Sequence, residues 1–135
     1  MTDIDDILNN ATQWTTESVT KPTIVLGQVR AIHSLNRGIV VKKLTREDEL
    51  IGTIDRRFYS TDSHDGWLCI IASTTFADLD SIIKVVERIC AEYGMVDGEE
   101  TYLTWRGGDY KQFNNVRFVY TMVIMRKKSL QQGFS

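Results

Sequence analysis

One proline and two cysteines are all that a chain of 135 residues holds of those types, and charge nearly cancels at a net -2. Each scarcity excludes something. The lone Pro22 leaves no proline-rich linker, and no repeat or low-complexity segment divides the chain. Two cysteines do not make a disulfide-dense secreted scaffold. Cys69 falls in a strand-like run and Cys90 in a helix-like run, so both read as buried thiols acting as small hydrophobes, with a disulfide between them left open. No apolar run approaches the roughly 20 residues that cross a bilayer. The opening acids Asp3, Asp5 and Asp6 are the opposite of a basic signal-peptide start. These features lead to the expectation of a soluble protein, intracellular when made, with no membrane partner.

What is present is enough apolar material for a core. At 42% hydrophobic and 10% aromatic, the chain is too rich in core formers to be disordered. A chain of this size buries about two-thirds of its unfolded surface. The expectation is a single α+β domain over 1–130 with a loose C-terminal tail at 131–135.

The strongest local signal is the run from Val116 to Met125, dense in β-branched and aromatic residues. Phe118, Tyr120, Met122 and Ile124 fall on one face; Val119, Thr121, Val123 and Met125 fall on the other. Both faces are apolar, so the strand needs cover on two sides, and a neighbouring subunit is one source of it. Ile39–Leu44 and Trp67–Ser73 read as further strands, and Thr101–Trp105 alternates as another. Arg106–Asp109 reads as a loop, and Ser63–Gly66 as a turn or bulge. Ile4, Ile7, Leu8, Ala11 and Trp14 recur at helical spacing behind Asp3, predicting a helix over about 3–15. A broad stripe from Phe76 through Leu79, Ile82, Ile83, Val86, Ile89 and Cys90 to Tyr93 predicts the main helix, with Gly94 as its stop. The order is then α-β-β-α-β-β. Short connections imply an antiparallel four-stranded sheet with two helices packed on one face.

Chemistry-bearing motifs are weak. Asp62, His64 and Asp65 are the one cluster with metal-ligating side chains, but they are too closely spaced and lack a second histidine. Arg106-Gly107-Gly108 lacks the lysine and helix that follow a phosphate loop. No serine or cysteine sits in a nucleophile context with a nearby base. No catalytic residue, cofactor site or metal site is assigned, and the reading is of a protein that is not an enzyme. Trp67 and Trp105 join Val119, Thr121, Val123 and Met125 as candidates for a subunit interface. Lys42, Lys43, Arg126, Lys127 and Lys128 are the basic residues that a ring would multiply around a lumen where DNA passes. Charge is also polar along the chain. Residues 1–20 hold four acids and no base, whereas residues 110–135 hold five bases and no acid.

Several segments in order carry a resemblance. They are Asp3-Ile4-Asp5-Asp6-Ile7-Leu8 running to Trp14, Thr20-Lys21-Pro22-Thr23-Ile24, and Gly38-Ile39-Val40-Val41. Then come Trp67–Ser73 leading into the Phe76–Tyr93 helix, and a closing strand from Phe113 to Lys128. This layout resembles the tail-terminator and tail-completion proteins of tailed viruses, archaeal viruses and proviruses in particular. The resemblance implies a small α+β fold without enzymatic activity or cofactor. It implies a homo-oligomeric ring, commonly a hexamer, that caps the tail tube and joins it to the neck. Partners would then be further copies, a tail tube protein and a neck or head-completion protein, in the virion and, during assembly, in the host cytoplasm. The polar segment 56–66 departs from the simplest form of that layout. The competing readings are a cellular oligomeric binding or adaptor domain, and a small-ligand or nucleotide-binding regulator.

Overall fold

The computed structural model describes residues 3–44, 64–94, 96–97, 106–112 and 115–127. The expectations for Thr101–Trp105, the polar 56–63 stretch, Lys128 and the 131–135 tail lie outside the described residues. The fold is α+β. Among the described residues six strands form one mixed sheet: β1 (Thr23–Leu26), β2 (Gly38–Leu44), β3 (His64–Ser73), β4 (Val96–Asp97), β5 (Arg106–Gln112) and β6 (Asn115–Lys127). The spatial order is β1-β2-β3-β6, and the outer edge of β6 is shared between β5 and β4.

Two features of the expected sheet need correction. First, β1 pairs with β2 in parallel, with Thr23 opposite Gly38 and Leu26 opposite Val41. The connection between them is not a hairpin. It contains a 3-10 helix (Val29–Ser34) that crosses one face of the sheet and buries Ile32 there. Short connections imply antiparallel neighbours only when the chain reverses directly, and this crossover instead returns the chain in the same direction. Second, Arg106–Gln112 is a strand rather than a loop. Gly107 and Gly108 suggest a turn, but the first half of β6 has an edge that β3 does not cover, and β5 takes it. The register shifts between Gly108 and Tyr110, leaving Asp109 as the bulged residue. His64–Gly66 likewise belongs to β3, paired with 125–127 of β6.

The first helix is also shorter than its periodicity predicts. α1 (Ile4–Asn10) ends at Ala11, which is extended, and a one-turn helix α2 (Gln13–Thr16) follows. The indole Nε1 of buried Trp14 donates to the carbonyl of Leu8 at 2.7 Å. That carbonyl is the one a continuous helix would bond to the Thr12 N–H, so the tryptophan ends one helix and starts the next.

α3 (Phe76–Glu92) follows its stripe closely. The Thr75 hydroxyl accepts from the Asp78 N–H at 3.1 Å, a side-chain N-cap. Leu79, Ile82, Ile83, Val85, Val86, Ile89 and Cys90 are buried, while Phe76 and Tyr93 at the two ends are exposed. Gly94 takes φ +72°, the left-handed conformation that ends a helix.

Both sheet faces are covered within one chain. On the first, α1, α2 and α3 pack on Ile39, Val41, Trp67, Cys69, Ile71, Tyr120, Met122 and Ile124. On the second, Ile32 of the 3-10 helix joins Val40, Leu44, Leu68, Ile70, Ala72, Val119 and Val123, with Ala31 and Leu35 against them. Arg117 of β6, only 1% exposed, donates through Nη1 to the carbonyls of Ile32 and Leu35 at the end of that helix. A cation at a helix C-terminus satisfies carbonyls that have no intrahelical donor.

Candidate functional site

β2 ends, β3 begins and β6 ends at the same margin of the sheet, and this brings several of the sequence candidates together. Lys43 stands opposite Trp67, and Asp65 opposite Arg126. Strand alternation then places all four side chains on the first face. The Lys43 ammonium lies 4.9 Å from the Trp67 ring centroid, and the Arg126 guanidinium carbon lies at the same distance. Lys43 also pairs with Asp65 at 3.0 Å. Trp67 is fully buried by these neighbours, and its Nε1 has no hydrogen-bond partner among the described residues. An indole between two cations gains about 0.5–1 kcal/mol from each where the cation is exposed.

The remaining candidates divide. Val119 and Val123 are 4% and 3% exposed inside a single chain, and Thr121 and Met125 are half-buried beside them. The strand run thus finds cover from the chain's own crossover. Lys42 stands opposite Leu68, on the second face, so Lys42 and Lys43 point to opposite sides of the sheet. The backbone of Lys127 pairs with His64. Trp105 and Lys128 lie outside the described residues.

A second cluster had only one local signal in the sequence, the cap spacing that involves Asp78. Arg37, in the turn before β2, donates Nε to Asp78 Oδ2 at 2.7 Å and Nη2 to Asp78 Oδ1 at 3.2 Å. The same Nη2 donates to the Thr20 carbonyl at 2.7 Å, and the buried Ser73 hydroxyl donates to Asp78 Oδ2 at 2.6 Å. The hydrogen bond from Arg37 holds the Asp78 carboxyl below its usual range, against the opposing effect of partial burial. The network ties the α2–β1 link, the turn into β2 and the first turn of α3 together. Two shallow adjoining cavities of about 420 and 380 Å³ flank it, sharing Ser18, Val19 and Thr20. Ser18 has φ 58°, the only non-glycine residue with positive φ among those described. The Thr75–Asp78 cap spacing hints at one member of the network. Arg37 could not be found from sequence because its partner lies 41 positions away.

Among the described residues no three His, Cys, Asp or Glu side chains converge as metal ligands, and no helix is long and apolar enough to cross a membrane. Cys69 and Cys90 are both buried, and no disulfide joins them. Apolar side chains that remain open include Leu26 (56%) and Val29 (39%), beside the outermost strand, and Phe76 and Tyr93 at the ends of α3. Phe76 meets Phe118 edge to face at 6.0 Å between ring centroids.

No family model matches the chain, and no curated protein is significantly similar to it.

Proposed function

We propose that this chain is a structural virion protein, a tail terminator or tail-completion subunit. It works by association and carries no enzymatic step or cofactor. Copies close into a ring, six being the number the resemblance implies. The ring caps the tail tube and receives the neck, and DNA passes through its lumen. The basic candidates serve different roles in this reading. Lys43 and Arg126 brace Trp67 and give the ring a rigid margin, while Lys42, on the opposite face, is the better candidate to meet passing phosphate.

The observation that supports association most directly is the outer rim of the sheet. The broad faces are filled by the chain's own helices and crossover. β1 is an edge strand among the described residues, only four residues long, with Leu26 exposed at its end and Val29 exposed just beyond it. An open edge beside exposed apolar side chains is a place where another chain adds.

The experiment is tube assembly. A tail tube protein of the same virus is polymerised with and without this chain, and tube length and tube ends are scored by electron microscopy. Tubes of bounded length with an extra ring of density at one end are the expected result. Tubes of unchanged length with bare ends, alongside a stable dimer in solution, would favour the adaptor-domain reading instead.

A further inference from the structure

We infer that the cleft beside the Arg37–Asp78 pair binds the oxyanion head of a small organic ligand, a phosphate monoester or a carboxylate. The site lies within one chain, so it stands or falls independently of the assembly reading.

Its frame is the network around Arg37. Nε and Nη2 are spent on Asp78 and on the Thr20 carbonyl, in three bonds of 2.7, 3.2 and 2.7 Å. These bonds fix the guanidinium plane. They leave Nη1, with two N–H groups, as the donor that no described residue takes. The side chain is 28% exposed and lines the larger cavity. A donor fixed before the ligand arrives costs little further ordering on binding. From arginine to a carboxylate or phosphate, the bond is charge-assisted. The hydroxyls of Ser18 and Thr20 stand on the wall that the two cavities share. Both residues are exposed, and neither hydroxyl is hydrogen-bonded among the described residues.

Charge sets the sign of the ligand. The lining holds two cations, Arg37 and Lys21, and one acid, Asp78. Asp78 already accepts from Arg37 and from the Ser73 hydroxyl. Glu17 and Asp80, next in sequence to lining residues, pair with Arg88 at 2.9 Å and with Lys84 at 3.3 Å. Lys21 bonds only neutral groups, the carbonyl and side-chain oxygens of Asn9, both at 3.3 Å. Each acid there has a cation of its own, and one cation is left over. Size sets the rest of the ligand. Cavities of about 420 and 380 Å³ fall in the roughly 300–1,000 Å³ that small molecules fill. That is more than a bare ion needs, and half-buried Val19, common to both cavities, offers the ligand's body an apolar contact.

The test is a titration of the isotope-labelled chain followed by amide and arginine Nε–H NMR. The probes are glycerol phosphate and glycerate, which share a body and differ in the head, with sodium chloride matched for ionic strength. The expected result is saturable shifts confined to residues 18–21, 37, 78 and 81, with millimolar affinity for at least one probe. The tighter of the two identifies the head group. Arg37→Lys keeps a charge for Asp78 but loses the free Nη1, and should weaken binding on the order of tenfold. Shifts that never saturate, or that chloride reproduces, would mean an adventitious ion only and overturn the proposal. A folded Arg37→Lys chain that binds as the wild type does would also overturn it. Should Arg37→Lys fail to fold, Lys21→Ala with Ser18→Gly decides. Both positions are exposed, and glycine adopts the positive φ of Ser18 freely. That double variant should bind several-fold more weakly, and unchanged affinity would overturn the site.

Discussion

Replacing Arg117 with leucine tests how the second face of the sheet is closed. The guanidinium lies at 1% exposure and holds the carbonyls of Ile32 and Leu35. Hydrogen bonds from a charged donor contribute about 1.5–3 kcal/mol each. Arg117→Leu loses two of them and leaves two carbonyls to find water in a covered site. Against this, the leucine avoids the desolvation cost of a buried cation, which offsets part of the loss. A net cost of about 3 kcal/mol follows. With an unfolding entropy of about 2.1 cal/mol/K per residue, 135 residues convert that to a melting temperature lower by about 10 °C. Urea and thermal melts give the global value. Limited proteolysis reports the segment between β1 and β2, which should become the first site cut, because it loses its tie to β6. Arg117→Lys, a point charge without the planar fork, should recover roughly half of the stability. A leucine variant within about 0.5 kcal/mol of the wild type, with an uncut crossover, would refute the reasoning.

Other substitutions check separate parts of the fold. Gly38→Ala would bring a Cβ to 2.7 Å from the Thr23 carbonyl and 2.8 Å from Leu35 Cδ1, so it should cost about 1–3 kcal/mol in urea titrations. Asp78→Asn should lose less than about 1 kcal/mol at neutral pH, since the pair with Arg37 is partly exposed. The carboxyl's folded value is depressed, so its contribution is present above the unfolded value and is lost as pH falls through the folded one. The variant should therefore show a shallower acid loss below about pH 4, measured by thermal melts across pH. Val123→Asp places a charge at a site 3% exposed within a single chain, so circular dichroism should show an unfolded or severely destabilised protein even at concentrations too low for assembly.

The parts of the fold that were legible in the sequence are those whose cause is local. The α3 stripe, its stop at Gly94 and the two-sided run of β6 depend on periodicity and on one special backbone angle. What escaped depends on partners distant in sequence. The parallel β1–β2 pair needs the 3-10 crossover, which packs on β2 and β3 through Ile32 and is tied at its end by Arg117 from the far end of the chain. β5 reads as a turn because of Gly107 and Gly108, and becomes a strand because β6 has a second edge, opposite β3, for it to pair with. The break after α1 comes from one indole reaching back six residues. Among the candidate site residues, strand parity alone puts Lys42 and Lys43 on opposite faces. It could not foresee that Lys43 and Arg126 would meet on Trp67, since that needs the register of three strands at once.

The measurement that bears most directly on the central claim is the solution mass of the unmodified chain, by light scattering over a wide concentration series. The account predicts a shift from monomer toward one closed species of several copies, near six, with no growth beyond it. A chain that stays monomeric to high concentration, or stops at a dimer, would contradict it.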